Sequence, residues 1–175
     1  MQAASETVVR DRHRFSWFFL DVITKSILQH LQTDAAWRPG ATSEQRHFKS
    51  SFLKNISSLM TSLAIETANC KLQSTGRELN EAIAYFVTDA FSFLDRKTVL
   101  GIVHTHVTVL SVNPSDMMVN FKVDFIRVIC AYEHFVAVCL PTQEVVDRPF
   151  DRFANIQQEF WFAQLHFIPL FLTFS

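Results

Sequence analysis

Glycine, proline and cysteine are all scarce in this sequence: its 175 residues include 3 Gly, 5 Pro and 3 Cys. Few glycines and prolines leave few places for sharp turns, which counts against a sheet protein of many short strands. Cys70, Cys130 and Cys139 are an odd number with no Cys-x-x-Cys pair. That excludes a disulfide framework and a cysteine-rich zinc site, so reduced, intracellular thiols are expected. Neither sign of charge is in excess: 16 basic against 17 acidic residues give −1. The basic stripe of a nucleic-acid binder is missing. One basic cluster, Arg10, Arg12 and Arg14 with His13, is interleaved with Asp11 and reads as a solvated helix start. The chain also lacks a Gly-rich phosphate loop, a Gly-x-Ser-x-Gly turn, paired carboxylates and a kinase signature, so no cofactor is implied.

Phenylalanine is plentiful, at 18 residues, in a chain that is 49% hydrophobic and 19% charged. This length suits one domain with a real core. Many large apolar groups and few breakers favour long packed helices, with some surface meant to be covered by more protein. The polar start, MQAASETVVRDRHR, has no apolar signal core, and a cytoplasmic protein is expected. The one membrane candidate is the tail, 160–175. It is shorter than the ~18–20 apolar residues needed to span, and Gln164, His166 and Pro169 interrupt it.

Helical spacing dominates the chain. Phe15, Phe18, Phe19, Val22, Ile23, Ser26, Ile27, His30 and Leu31 fall at i, i+3, i+4, i+7. They predict an amphipathic helix buried along that face, with Leu20 and Leu28 widening the arc. Residues 33–43 form a linker around Pro39-Gly40, with Trp37 as a packing plug. Thr42 with Gln45 reads as a capping box. The helix after it carries Phe48, Phe52, Ile56, Leu59, Met60 and Leu63 and runs to about Lys71. Thr75 with Glu78 offers a second capping box for a stripe of Leu79, Ile83, Phe86, Ala90, Phe93 and Leu94.

Residues 98–112, TVLGIVHTHVTVLSV, are β-branched and partly alternating, which by propensity says strand. A lone strand among helices has nothing to pair with, so a helix capped by Asp95 is predicted. Asn113 then caps another helix with Pro114 in first place. Its stripe is Met118, Phe121, Phe125, Val128, Ile129 and Tyr132, widened by Ile126 and Cys130, and it ends near His134. Residues 142–155 read as an exposed loop, and a last helix starts near Phe153 with Phe160, Trp161 and Leu165. Five or six similar helices with short connections are what a degenerate α-solenoid of helix pairs looks like.

Three places invite a chemical reading. His104 and His106 would share a face on a strand and could bind metal there, but on a helix they diverge, and no further ligand lies nearby in sequence. Cys130 and His134 sit at i, i+4, the spacing at which an imidazole could activate a thiol. Cys130 belongs to the apolar side, however, where a thiol is inert, and Glu133 with His134 reads better as a helix ending. Asp95 and Arg96 read as a turn between two antiparallel helices. No catalytic, metal-binding or cofactor-binding residue is assigned.

The stretch DFIRVICAYEHFVAVCLP, 124–141, resembles a segment of the dedicator-of-cytokinesis (DOCK) proteins, large exchange factors for Rho-family GTPases. The zizimin and zizimin-related subfamilies come nearest, with an Asp-Phe-x-Arg/Gln-x-Ile-Cys helix running into His-Glu-His-Tyr and then Asn-Leu-Pro. Asp124, Phe125, Arg127, Ile129, Cys130, Glu133, His134, Leu140 and Pro141 match; Tyr132 and Cys139 depart. Trp17, Phe18, Phe19, Lys25 and Ser26 are similar to the family's Trp-Phe-Phe-Phe helix with its following Lys-Ser. Phe93-Leu94-Asp95-Arg96 resembles its Met-Asp-Arg junction, with Lys97 in place of Gly. The three blocks keep their order over about 15–165.

The resemblance implies an all-α, armadillo-like α-solenoid of antiparallel helix pairs, present as a partial array. It implies a polar segment at 1–14, the helical-repeat region at 15–165, and a tail at 166–175 that departs from the family and reads like translated intron sequence. It further implies a non-catalytic scaffold fragment of an exchange factor. It implies contact with Rac or Cdc42 and with membrane only through regions absent from the chain, and a homodimer as one form open to the parent protein. The alternative is a free-standing helical module that binds protein partners.

Overall fold

The structure, a computed structural model, describes residues 11, 13–33, 48–113, 115–133 and 135. The chain divides into two compact units, Met1–Ala131 and Tyr132–Ser175. Five helices lie in the first: α1 (Ser16–Thr33), α2 (Ser50–Ala68), α3 (Gln73–Ala90), α4 (Arg96–Ser111) and α5 (Asp116–Cys130). There is no strand among the described residues. The expected all-α class is therefore what the chain adopts, and 98–112 is helix despite its β-branched composition. The most extensive packing joins each helix to the next but one: α1 with α3, α2 with α4, α3 with α5. Helices α1, α3 and α5 thus make one row and α2 and α4 another, as successive helix pairs do when they stack. The linker around Trp37, the Thr42–Gln45 capping box, the loop at 142–155 and the final helix lie outside the described residues.

Helix α3 sits at the centre. Leu79, Ile83, Phe86 and Ala90 are at most 2% exposed, as their stripe predicts, and Thr75, Gly76, Asn80, Ala82, Ala84 and Val87 are buried too. A helix buried on most sides needs neighbours on most sides, and α3 packs against all four others. The turn after it buries Phe93 and Leu94 completely, and Phe93 meets Phe86 edge-on at 6.3 Å between ring centroids. Helix α2 buries Ile56 and Met60 from its predicted stripe.

Several boundaries differ from expectation. The Thr75–Glu78 capping box does not form: α3 already begins at Gln73 behind Leu72, which places Thr75 inside the first turn. Asp95 caps α4 as predicted, accepting from the Thr98 backbone N–H at 2.9 Å and from its hydroxyl at 2.6 Å. At α5 the cap is Ser115 rather than Asn113; its Oγ accepts from the Met118 N–H at 3.3 Å. The helix ends at Cys130, before the predicted His134.

The largest correction concerns α1. Its buried residues are Ser16, Leu20, Thr24, Ile27 and Leu31. Most of the predicted core face points outward instead: Phe15 is 49% exposed, Phe18 48%, Phe19 57% and Val22 43%, with neighbouring Trp17 at 59%. Phe18 stands edge-on between the rings of Trp17 and Phe19, at 5.9 and 5.7 Å. Ring size favoured the outer stripe in the sequence. The narrower Leu20–Ile27–Leu31 line is the one that fits against α3.

A polar connection runs through the core. Asn80 Nδ2 on α3 donates to the Phe121 carbonyl of α5 at 2.9 Å. Asn80 Oδ1 is therefore the acceptor for His106 Nε2 of α4, also at 2.9 Å. His106 must carry its hydrogen on Nε2, which leaves Nδ1 as a bare, buried lone pair without a partner. The imidazole lies 4.2 Å from the Phe125 ring, centroid to centroid. It is 1% exposed, and this burial pushes its pKa down to about 3. Helices α3 and α5 also meet at Gly76, where an added Cβ would come within 2.8 Å of the Phe121 ring and 3.1 Å of Cys70 Cβ.

Two predictions follow from these contacts. Gly101 has nothing within 4 Å of an added Cβ, so Gly101→Ala should raise urea stability by roughly 0.8–1 kcal/mol from helix propensity. Gly76→Ala carries the same gain but overpacks a ring that is 1% exposed. It should lower stability on balance, overpacking costing roughly 1–3 kcal/mol. An equal response at both sites would contradict the packing. For His106, the unfolded chain takes up a proton near the ordinary histidine value while the folded chain does not until about 3. Its contribution is fully present at neutral pH and is lost as pH falls from about 6.5 to about 3, by about 1.4 kcal/mol per pH unit. His106→Gln, which keeps a donor for Asn80 but cannot titrate, should flatten the acid limb of a urea-stability profile by about one proton.

Candidate functional site

The predicted chemistry-bearing residues do not converge. His106 is committed to Asn80, and His104, two positions away on the same helix, is half-buried elsewhere on α4. Cys130 closes α5 and is half-buried; Glu133 lies exposed in the turn beyond it. His134 is outside the described residues, so the pair it was expected to form with Cys130 has no described geometry. Asp95 is spent on capping α4. Among the described residues, no group of three or more His, Cys, Asp and Glu is arranged to hold a metal ion.

A groove of about 500 Å³ runs between α2 and α4, past Lys54, Ser57, Met60, Lys97, Thr98 and Thr105. Its threonine hydroxyls are turned back on their own chain. Thr61 donates to the Ser57 carbonyl, Thr105 to the Gly101 carbonyl, and Thr98 to its capping carboxylate. That leaves few donors to fix a ligand.

Among the described residues, Glu66, His13 and Cys70 form a cluster that brings distant reactive groups together. His13 sits in a helical turn that leads into α1 and is 4% exposed. This overturns its reading as part of a solvated basic cluster. Its Nε2 lies 2.9 Å from Glu66 Oε1 near the end of α2. Its Nδ1 lies 3.9 Å from Cys70 Sγ, in the connection between α2 and α3. Ser16 Oγ donates to the His13 carbonyl at 2.6 Å and steadies the turn. Glu66 and Cys70 are close in sequence, but His13 is 53 and 57 positions from them, and no short-range spacing brings it in. The available signal was weak: a histidine just ahead of a helix whose opposite face turns out to be buried.

Those residues of the family resemblance that the structure describes have definite places. Phe125 and Ile129 are completely buried. Asp124 pairs with Arg77 of α3 at 3.5 Å and with Arg127, one turn on, at 3.2 Å. Lys25 pairs with Asp21 at 2.6 Å, and Ser26 donates to the Val22 carbonyl. Trp17, Phe18 and Phe19 face outward. No helix among the described residues is long and apolar enough to cross a membrane.

Comparison with known proteins gives a consistent result. Residues 2–130 match the family model described as the TPR domain of DOCK6-11. Mouse dedicator of cytokinesis protein 7 is 30% identical over 134 residues, covering 72% of this chain and 6% of the relative. Mouse dedicator of cytokinesis protein 6 is 28% identical over 134 residues, again 72% and 6%. Human dedicator of cytokinesis protein 9 is 25% identical over 130 residues, 73% of this chain and 6% of its own. The chain thus spans about 6% of the length of these curated relatives. No solved structure matches it. With more than half its length matched by the family's TPR domain and a relative 30% identical, the chain belongs to the dedicator-of-cytokinesis family.

Proposed function

We propose that this chain is a non-catalytic helical scaffold, a piece of a DOCK-type guanine-nucleotide exchange factor for Rho-family GTPases. The observation that carries this reading is how its family-like residues are used. In α5 and at the 93–96 junction they are spent on internal packing, on the Arg77–Asp124 pair and on capping α4. Among the described residues, Phe125 and Ile129 are buried, and Asp124 and Asp95 are held in contacts within the chain. On this reading the helices space and orient the lipid-binding and exchange regions of a complete protein. Residues 1–14 lead in, 15–165 form the stacked, solenoid-like region, and 166–175 depart from the pattern. Contact with Rac or Cdc42, with membrane, or with a second copy then belongs to the parent protein, in the cytoplasm.

A second reading, a free-standing module that binds protein partners, draws on the outward-facing Trp17, Phe18 and Phe19. Aromatic side chains in a row are what a helix-on-helix contact uses.

Exchange kinetics test the first reading. Rac or Cdc42 loaded with a fluorescent nucleotide should release it at the same rate with and without this chain. Acceleration of release would overturn the scaffold assignment.

A further inference from the structure

Cys70 has a proton acceptor built behind it. Glu66, as a carboxylate, can only accept, so His13 Nε2 carries the hydrogen in their 2.9 Å contact. The neutral ring then turns the lone pair of Nδ1 towards Cys70 Sγ, 3.9 Å away. Packing holds the imidazole in this orientation, since His13 is 4% exposed. Cys70 is only half-buried, so a small molecule can reach it. The thiol also donates to the Leu72 carbonyl at 3.4 Å. The arrangement is linear rather than convergent, with the two ring nitrogens serving opposite partners. That is the geometry of a proton relay and not of a metal site.

We propose that Cys70 is a nucleophilic thiol with His13 as its base and Glu66 as the positioning residue, and that it takes low-molecular-weight disulfides. The Cys70 proton passes to His13 Nδ1, forming an imidazolium that Glu66 stabilises. The thiolate attacks one sulfur of the incoming disulfide. The old S–S bond breaks as the new one forms, and the departing thiolate takes the proton back from His13. One disulfide and one thiol become a mixed disulfide and a thiol, with no further oxidant, and a small free thiol reverses the exchange. The modified residue would stand at the joint between α2 and α3, beside Gly76 and the Phe121 ring. This assignment is independent of the scaffold reading.

The test uses the full chain and an aromatic disulfide, dithiobis-nitrobenzoate, with the Cys70 peptide quantified by mass spectrometry. Folding slows an ordinary half-buried thiol. Cys70 is expected to react about tenfold faster at pH 7 in the folded chain than in urea. Slower reaction on folding overturns the proposal. Among the described residues, the titratable groups facing Cys70 are His13 and, behind it, Glu66; α3 faces it with the uncharged Gly76, and the adjacent Lys71 is exposed. His13→Gln should therefore remove the acceleration at pH 7. It should leave the rate at about pH 10 unchanged, where hydroxide in solution can serve as the base. An equal loss at both pH values would assign His13 a packing role only and equally overturn the proposal. Glu66→Gln gives the same comparison if His13→Gln does not fold.

Discussion

Phe121 can lie against α3 only because residue 76 has no side chain. That contact sets the separation of α3 and α5, and much else depends on it. At this distance the Asn80 amide reaches the Phe121 carbonyl across the interface. The amide is thereby oriented, and its oxygen fixes the tautomer and position of His106 on a third helix. A buried polar group without a partner costs on the order of 1–3 kcal/mol. The chain of bonds therefore resists any sliding of the three helices that would break one of its links. Apolar packing supplies most of the cohesion here, while the Asn80–His106 connection supplies register.

The two rows of helices are reconciled by α3, which is buried over a wide arc while Arg77, Glu78 and Tyr85 stay exposed. Helices α2 and α4 need only one good face each, and their stripes are correspondingly simple. Helix α1 is different. It offers α3 a seam of modest residues, including Ser16 and a buried Thr24 hydroxyl without a partner. Burial, together with the like charge of Asp21 on α1, raises the pKa of Asp89 on α3. This is a less favourable interface than those of α4 and α5, and the largest apolar groups of α1 take no part in it.

How far the sequence foretold this varies by element. The stripes of α3 and α5 were legible because large apolar residues recur on one face and neighbours cover that face: Leu79, Ile83, Phe86, Phe121 and Phe125 are all buried. Helix α4 was legible only by elimination, since its β-branched run favours a strand until the surrounding helices are considered. Helix α1 offered two stripes, and the bulkier one was the wrong one. Periodicity identifies an apolar face without saying which neighbour exists to cover it. The Glu66–His13–Cys70 cluster was illegible for another reason. Its members meet through tertiary packing over separations beyond any local pattern, whereas the adjacent-looking His104 and His106 diverge around a helix.

The aromatic row on α1 also gives the molecule a thermal character. Trp17, Phe18 and Phe19 stand half in water, and removing such surface from water near room temperature gains mainly entropy, with a negative heat-capacity change. Whatever covers those rings is therefore held more firmly as the solution warms and more loosely as it cools, opposite to a contact made of hydrogen bonds and ion pairs. The interior of the helical unit is fastened by both kinds of interaction. The aromatic row of its first helix offers a partner mainly the kind that weakens in the cold.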